Sequence, residues 1–137
     1  MVNDWNTNII EEFRSNEGRV GGPFENAPIL LMHHTGAKSG VERVNPLAYQ
    51  PIDENTWAVF GSKGGAPTHP DWYYNVKAHP KGRAEIGTDM IDVTFRVAEG
   101  DERERIWEKQ KHLMPPFAQY ERKTDRQIPV VILERAG

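Results

Sequence analysis

Apolar and polar positions alternate along this chain with two different periods, and the switches between them mark its elements. Trp5, Ile9, Ile10 and Phe13 recur at i, i+4, i+5 and i+8 among Asn, Asp and Glu. Side chains so spaced share one stripe of a helix, which predicts a first helix over about residues 3–15, ended before Gly18. Beyond the breakers Gly18, Gly21, Gly22 and Pro23, the run ILLMHHT at 29–35 is apolar and then polar, as a strand buried at its start would be. Further strands are predicted at 44–49, 57–61, 83–86, 90–98 and 128–133. In the fifth of these six, Ile91, Val93, Phe95 and Val97 alternate with Asp92, Thr94 and Arg96, which implies one wet face. Helices are predicted at 71–78 and 101–112, the latter turning Ile106 and Trp107 inward, and Pro115-Pro116 opens a short helical piece through Tyr120. Six strands joined mainly by turns, with flanking helices, predict an α+β domain built on a small, mainly antiparallel barrel that takes in residues 1–137.

Composition narrows the function classes. At 137 residues the chain suits one self-sufficient core, and the absence of cysteine excludes disulfides, thiolate metal sites and a cysteine nucleophile. The longest apolar run, residues 27–32, is too short to span a bilayer, and Asp4, Glu11 and Glu12 stand where a secretory signal would be basic. These features predict a cytoplasmic protein, with the N-terminal apolar stripe packed onto the barrel, the alternatives being a flap over a pocket mouth or a peripheral membrane contact. A net charge of −3 argues against nucleic acid as a partner. The distribution says more than the sum: residues 36–83 hold six basic against four acidic side chains, and both flanks are negative. An anionic small ligand would be drawn to that middle.

Two segments in the middle carry candidate chemistry. The stretch GSKGGAPTHPDWYYN at 61–75 reads as strand, rigid loop and helix start, with Lys63 beside main-chain N–H groups, a composition suited to holding an anion. The segment GAKSG at 36–40 has Ala37 where a phosphate-binding Walker loop needs glycine, so it reads instead as a hairpin turn bearing Lys38, Ser39 and Arg43. His33 and His34 fall on opposite faces of a strand and cannot share an ion, and no G-x-S-x-G nucleophile signature occurs, so neither a metal site nor a hydrolase is expected. Met114, Phe117 and Tyr120 recur every three residues, a spacing that suits core or pocket wall, and a buried Tyr120 phenol could donate a proton.

The segments GAKSGVERVNPLAY, GSKGGAPTHPDWYYNVKAHP and PPFAQYERKTDRQIPVVIL, in that order over about 100 residues, resemble the deazaflavin-dependent nitroreductase family. That resemblance implies a split β-barrel and coenzyme F420, with reduction of quinones, enones or nitroaromatics. By position, Lys38, Ser39, Arg43 and Lys63 match the groove for the phosphate and oligoglutamate tail, while Pro46, Ser62, Gly64, Gly65, Ala66, Trp72 and Asn75 match the ring-side and loop positions. Substrate contact falls to Met114, Phe117 and Tyr120, with Tyr120 or water supplying a proton. Nitro-reducing members carry tyrosines along the late helix where Met114 and Phe117 stand here, which favours quinone or enone reduction. The alternatives are a split-barrel protein that takes FMN or haem, and a carrier that binds F420 without catalysis.

Overall fold

The period-two pattern sorts each strand's side chains to two sides of a curved sheet, and here the sheet closes. The computed structural model describes residues 4–16, 18 and 28–136. Its strands are β1 (Ile29–Thr35), β2 (Glu42–Asp53), β3 (Thr56–Phe60), β4 (Lys81–Ile86), β5 (Asp89–Val97) and β6 (Val130–Arg135). All pairings are antiparallel, and the six form a closed barrel in the order β1-β2-β3-β6-β5-β4. Four helices accompany it: α1 (Asp4–Ser15), α2 (Asp71–Ala78), α3 (Gly100–Leu113) and α4 (Pro116–Lys123). Among the described residues no helix is long and apolar enough to cross a membrane.

Alternate residues of the strands fill the interior: Leu30, Met32, Trp57, Val59, Val93, Phe95, Val131 and Leu133 make one buried cluster. Trp72 and Val76 of α2 join it, so α2 stoppers one mouth of the barrel. The neighbouring residues of β1 and β6 face outward yet are also dry. Ile29 and Leu31 pack under Ile9 and Phe13 of α1, while Val130 and Ile132 pack under Ile106, Trp107 and Phe117 of α3 and α4. Two buried faces explain why both strands read as unbroken apolar runs, and β5, with Asp92 and Arg96 exposed, keeps the wet face its alternation predicts.

The elements depart from the sequence pattern chiefly at prolines. The second strand runs over Glu42–Asp53 instead of 44–49, longer at both ends than its pattern predicts. Residues 42–48 pair with β1 and residues 49–53 with β3, so β2 hands over from one neighbour to the other. Pro46 lies in the half paired toward β1 and Pro51 at an irregularity in the β3 register, positions where a missing N–H can be borne. The last strand begins at Val130, two residues later than expected, and α4 runs on to Lys123. Helix α1 ends at Ser15, ahead of Gly18 as predicted; the Trp5 side chain and Gly21, Gly22 and Pro23 lie outside the described residues.

Phe13 is 1% exposed and anchors α1 on the outer face of β1. Phe13→Ala is expected to cost about 3–5 kcal/mol, the usual penalty for emptying a buried aromatic site. Urea denaturation checks the total, and hydrogen exchange should show α1 amides losing protection before those of the barrel.

Candidate functional site

The β1–β2 hairpin turns at the stoppered mouth, and its shape is set by bonds from main chain to a buried side chain. Within the turn, the Gly36 N–H donates to the Val41 carbonyl at 2.9 Å and the Gly40 N–H to the Gly36 carbonyl at 3.0 Å. The Val41 N–H donates to Ser39 Oγ at 3.2 Å, and the Ala37 N–H donates to Asn75 Oδ1 of α2 at 2.8 Å. The amides of Lys38 and Ser39 have no partner among the described residues, so two main-chain donors stand beside a cation and a hydroxyl.

The second segment leaves β3 at Gly61 and makes a single 3-10 turn over Lys63–Gly65. Lys63 is held at φ 48°, the sole non-glycine residue with positive φ among those described, a conformation that costs energy and persists only where the surroundings impose it. The surroundings include Arg126, from the segment ahead of β6. Its Nε donates to the Ala66 carbonyl at 3.0 Å and its Nη1 to the Gly61 carbonyl at 2.9 Å. Nη1 also reaches His69 Nδ1 at 2.9 Å, and Nη2 donates to the Ser62 carbonyl at 2.8 Å. Burial, with Arg126 and Lys77 adding to it, pushes the His69 imidazole below its ordinary value, in keeping with a ring nitrogen that accepts from the guanidinium. Gly65 has φ 86°, and a Cβ there would lie 2.9 Å from Lys123 Cβ and 3.0 Å from the Tyr120 carbonyl oxygen, so α4 rests directly on the loop.

Together the two segments line one open groove of about 1110 Å³, whose walls include Lys38, Ser39, Arg43, Lys63, Trp72 and Asn75. Six of the residues singled out by sequence thus meet. Among the described residues Lys38, Arg43 and Lys63 take part in no salt bridge, whereas Arg14, Arg83, Arg96, Arg103 and Lys111 each pair with a carboxylate. Among the described residues Asp71 is the one acidic side chain on the groove's walls. Three cations with no carboxylate partner among the described residues thus share a groove with two bare amides, a donor set that is able to hold an anion.

The other predicted site residues are not among those lining this groove. Ser62, Gly65 and Ala66 sit behind Lys63 on the Arg126-pinned loop, where Ser62 is buried and Gly64 is the centre of the 3-10 turn. Pro46 pairs across from Leu31 on β2. Phe117 is buried against Phe60 and Trp107, with Met114 and Tyr120 packed half-buried around it and the Tyr120 ring tilted against that of Phe117 at a centroid distance of 5.3 Å. Sequence reasoning missed Arg126, whose four acceptors are 57 to 65 residues away along the chain, and it missed Tyr74, Asn45 and the role of His34 on the groove wall. Only the invariably charged side chain in TDRQIP, placed just before a buried strand, offered any hint of Arg126.

Comparison with known proteins bears on what the groove is for. Residues 5–135 match the model of a family described as F420H2-dependent quinone reductase. The chain belongs to that family. An F420H2-dependent quinone reductase of Mycobacterium tuberculosis is 34% identical over 127 residues, covering 90% of this chain and 85% of its own. A solved F420H2-dependent reductase of the FDR-A type is 46% identical with a TM-score of 0.71, covering 78% of this chain and 94% of its own. A second solved structure, a domain-swapped dimer, is 42% identical with a TM-score of 0.73 and covers 96% of this chain and 98% of its own. Membership makes the chain an F420-dependent oxidoreductase, with coenzyme F420 as its cofactor and a split barrel as its fold.

Arg126→Ala should cost about 1.5–3 kcal/mol, the range for charge-assisted hydrogen bonds, and Gly65→Ala should separate α4 from the loop. Thermal unfolding reads the first. For both variants, hydrogen exchange over residues 61–69 should rise while β4 and β5 keep their protection.

Proposed function

We propose that this protein transfers a hydride from reduced F420 to a quinone, with other activated double bonds such as enones, and nitroaromatics, as further acceptors. The observation that carries the reading is the convergence of Lys38, Arg43 and Lys63, none of them neutralised by a described carboxylate, on one groove beside Trp72. A coenzyme with a flat ring and a long polyanionic tail fits such a donor set, because clustered cations and bare amides suit the tail and apolar walls suit the ring. When bound, reduced F420 supplies the hydride.

The chain's own residues bind, orient and exclude water. Lys38, Ser39, Arg43 and Lys63 would hold the phosphate and oligoglutamate charges, with the Lys38 and Ser39 amides as additional donors. Trp72, Pro46, Asn75 and the Ser62, Gly64, Gly65 and Ala66 segment would form the ring side, kept in shape by Arg126. Rigidity here matters because hydride transfer depends on holding donor and acceptor in register and dry. Met114 and Phe117 are assigned to the acceptor side with Tyr120, on the helix that rests against Gly65, and either Tyr120 or water would supply the proton there.

Absorbance of F420H2 in the presence of menadione-like quinones, cyclohexenone-like enones and nitroaromatics tests the reading. Oxidation by quinones is expected, and binding without turnover of any acceptor would make the protein a carrier. Lys63→Ala should weaken F420 binding roughly ten- to a hundredfold, about 1.5–3 kcal/mol. A preference of the apoprotein for FMN, whose single phosphate needs fewer cations, would overturn the cofactor assignment.

A further inference from the structure

A chain of three hydrogen bonds runs beneath the anion-binding turn, and one member of it can change its protonation. His34 is 2% exposed and Asn75 is 7% exposed. The Ala37 main-chain N–H can only donate, so the Asn75 atom facing it at 2.8 Å is the carbonyl oxygen, and its amide nitrogen faces His34 Nδ1 at 3.2 Å. An amide nitrogen can only donate, so Nδ1 must carry the lone pair. The ring proton therefore sits on Nε2, which lies 2.7 Å from Asn45 Oδ1.

We propose that His34 is a positioning residue for the cofactor groove: as the neutral imidazole with its proton on Nε2, it holds the Asn75 amide in the orientation that clasps Ala37 and fixes the turn bearing Lys38 and Ser39. This rests on the reading of the groove as the F420 site. Protonation at Nδ1 would set two donors face to face, and relieving that contact turns the Asn75 amide over and releases the Ala37 N–H. The turn then loses its tie to α2.

The charges facing His34 favour the clasped state. Arg43 on β2, Lys38 on the turn and Lys63 on the 3-10 turn line the same groove, with Asp71 of α2 opposing them, and His33 adjoins on β1. Burial first, then Arg43 and His33, hold His34 below its ordinary value of 6.5, while the Asn45 bond works the other way. The clasp is therefore intact near neutral pH and opens as pH falls through that depressed value. The sign separates this role from a purely electrostatic one. A protonated His34 acting by charge alone would strengthen anion binding on acidification, whereas loss of the clasp weakens it.

Nitrogen-detected NMR of the ligand-free protein tests the arrangement without any cofactor. The expected result is an Nε2-protonated tautomer at neutral pH and an Ala37 amide shift that follows the His34 titration; an Nδ1-protonated ring, or an Ala37 amide indifferent to that titration, would overturn the proposal. Fluorescence titration with F420 supplies the second arm. His34→Gln, which can still bond to Asn75 but takes up no proton, should keep affinity within about threefold of wild type and lose the extra weakening below neutral pH. His34→Ala should lose about tenfold at neutral pH. Wild-type affinity in His34→Ala, or the wild-type acid response persisting in His34→Gln, would remove the clasp while leaving the groove reading intact. Failure of the wild type to bind F420 would instead overturn the groove reading, and the cofactor role of the clasp with it.

Discussion

Burial of Trp72 and Val76 in one mouth of the barrel is the constraint on which the rest of the site depends. Antiparallel order places the ends of β1 and β3 and the start of β4 at the same rim, so a helix that stoppers this mouth must lie between the β1–β2 turn and the loop that follows β3. Helix α2 does both jobs with one short segment. Its inward face supplies Trp72 and Val76 to the core, and its Asn75 reaches back to Ala37 on the turn. Because the helix cannot shift without opening the hydrophobic interior, the two cationic segments inherit the rigidity of the barrel.

Gathering Lys38, Arg43 and Lys63 along one groove without carboxylate partners is unfavourable for the empty protein, since like charges repel. Holding Lys63 at positive φ adds to that cost. Hydrogen bonds behind the groove hold both segments in place against these costs: the Arg126 guanidinium donates to main-chain carbonyls of the loop, and the His34–Asn75 pair ties down the turn. An anionic ligand bound as proposed would relieve that repulsion. Such preorganisation places the cost in folding rather than in binding.

The barrel was readable because its strands obey period two and because β1 and β6, dry on both faces, stand out as apolar runs. Helix α2 was readable to the residue, since Pro70 precedes it and the following proline, Pro80, lies just past its end. Strand β2 was cut short at its end because Pro51 looks like a breaker, and only the handover between two neighbours shows why that proline is tolerated. At the site, Lys38, Arg43 and Lys63 could be named from charge and turn chemistry. Arg126 and the bond from Asn75 to His34 could not, because their partners lie 41 to 65 residues apart and are brought together only by the tertiary fold, and no local spacing encodes that. The resemblance to a deazaflavin family supplied the cofactor, and family membership bears it out while describing the activity as quinone reduction.

Mapping F420 onto the backbone tests the central claim most directly. In a proton–nitrogen correlation titration of the apoprotein, the account predicts that the largest shifts fall on Ala37, Lys38, Ser39, Arg43, Lys63 and Asn75, with saturation at all six in step. Shifts centred instead on the cavity lined by His69, Glu99, Arg103 and Gln127, with the hairpin turn unmoved, would contradict it.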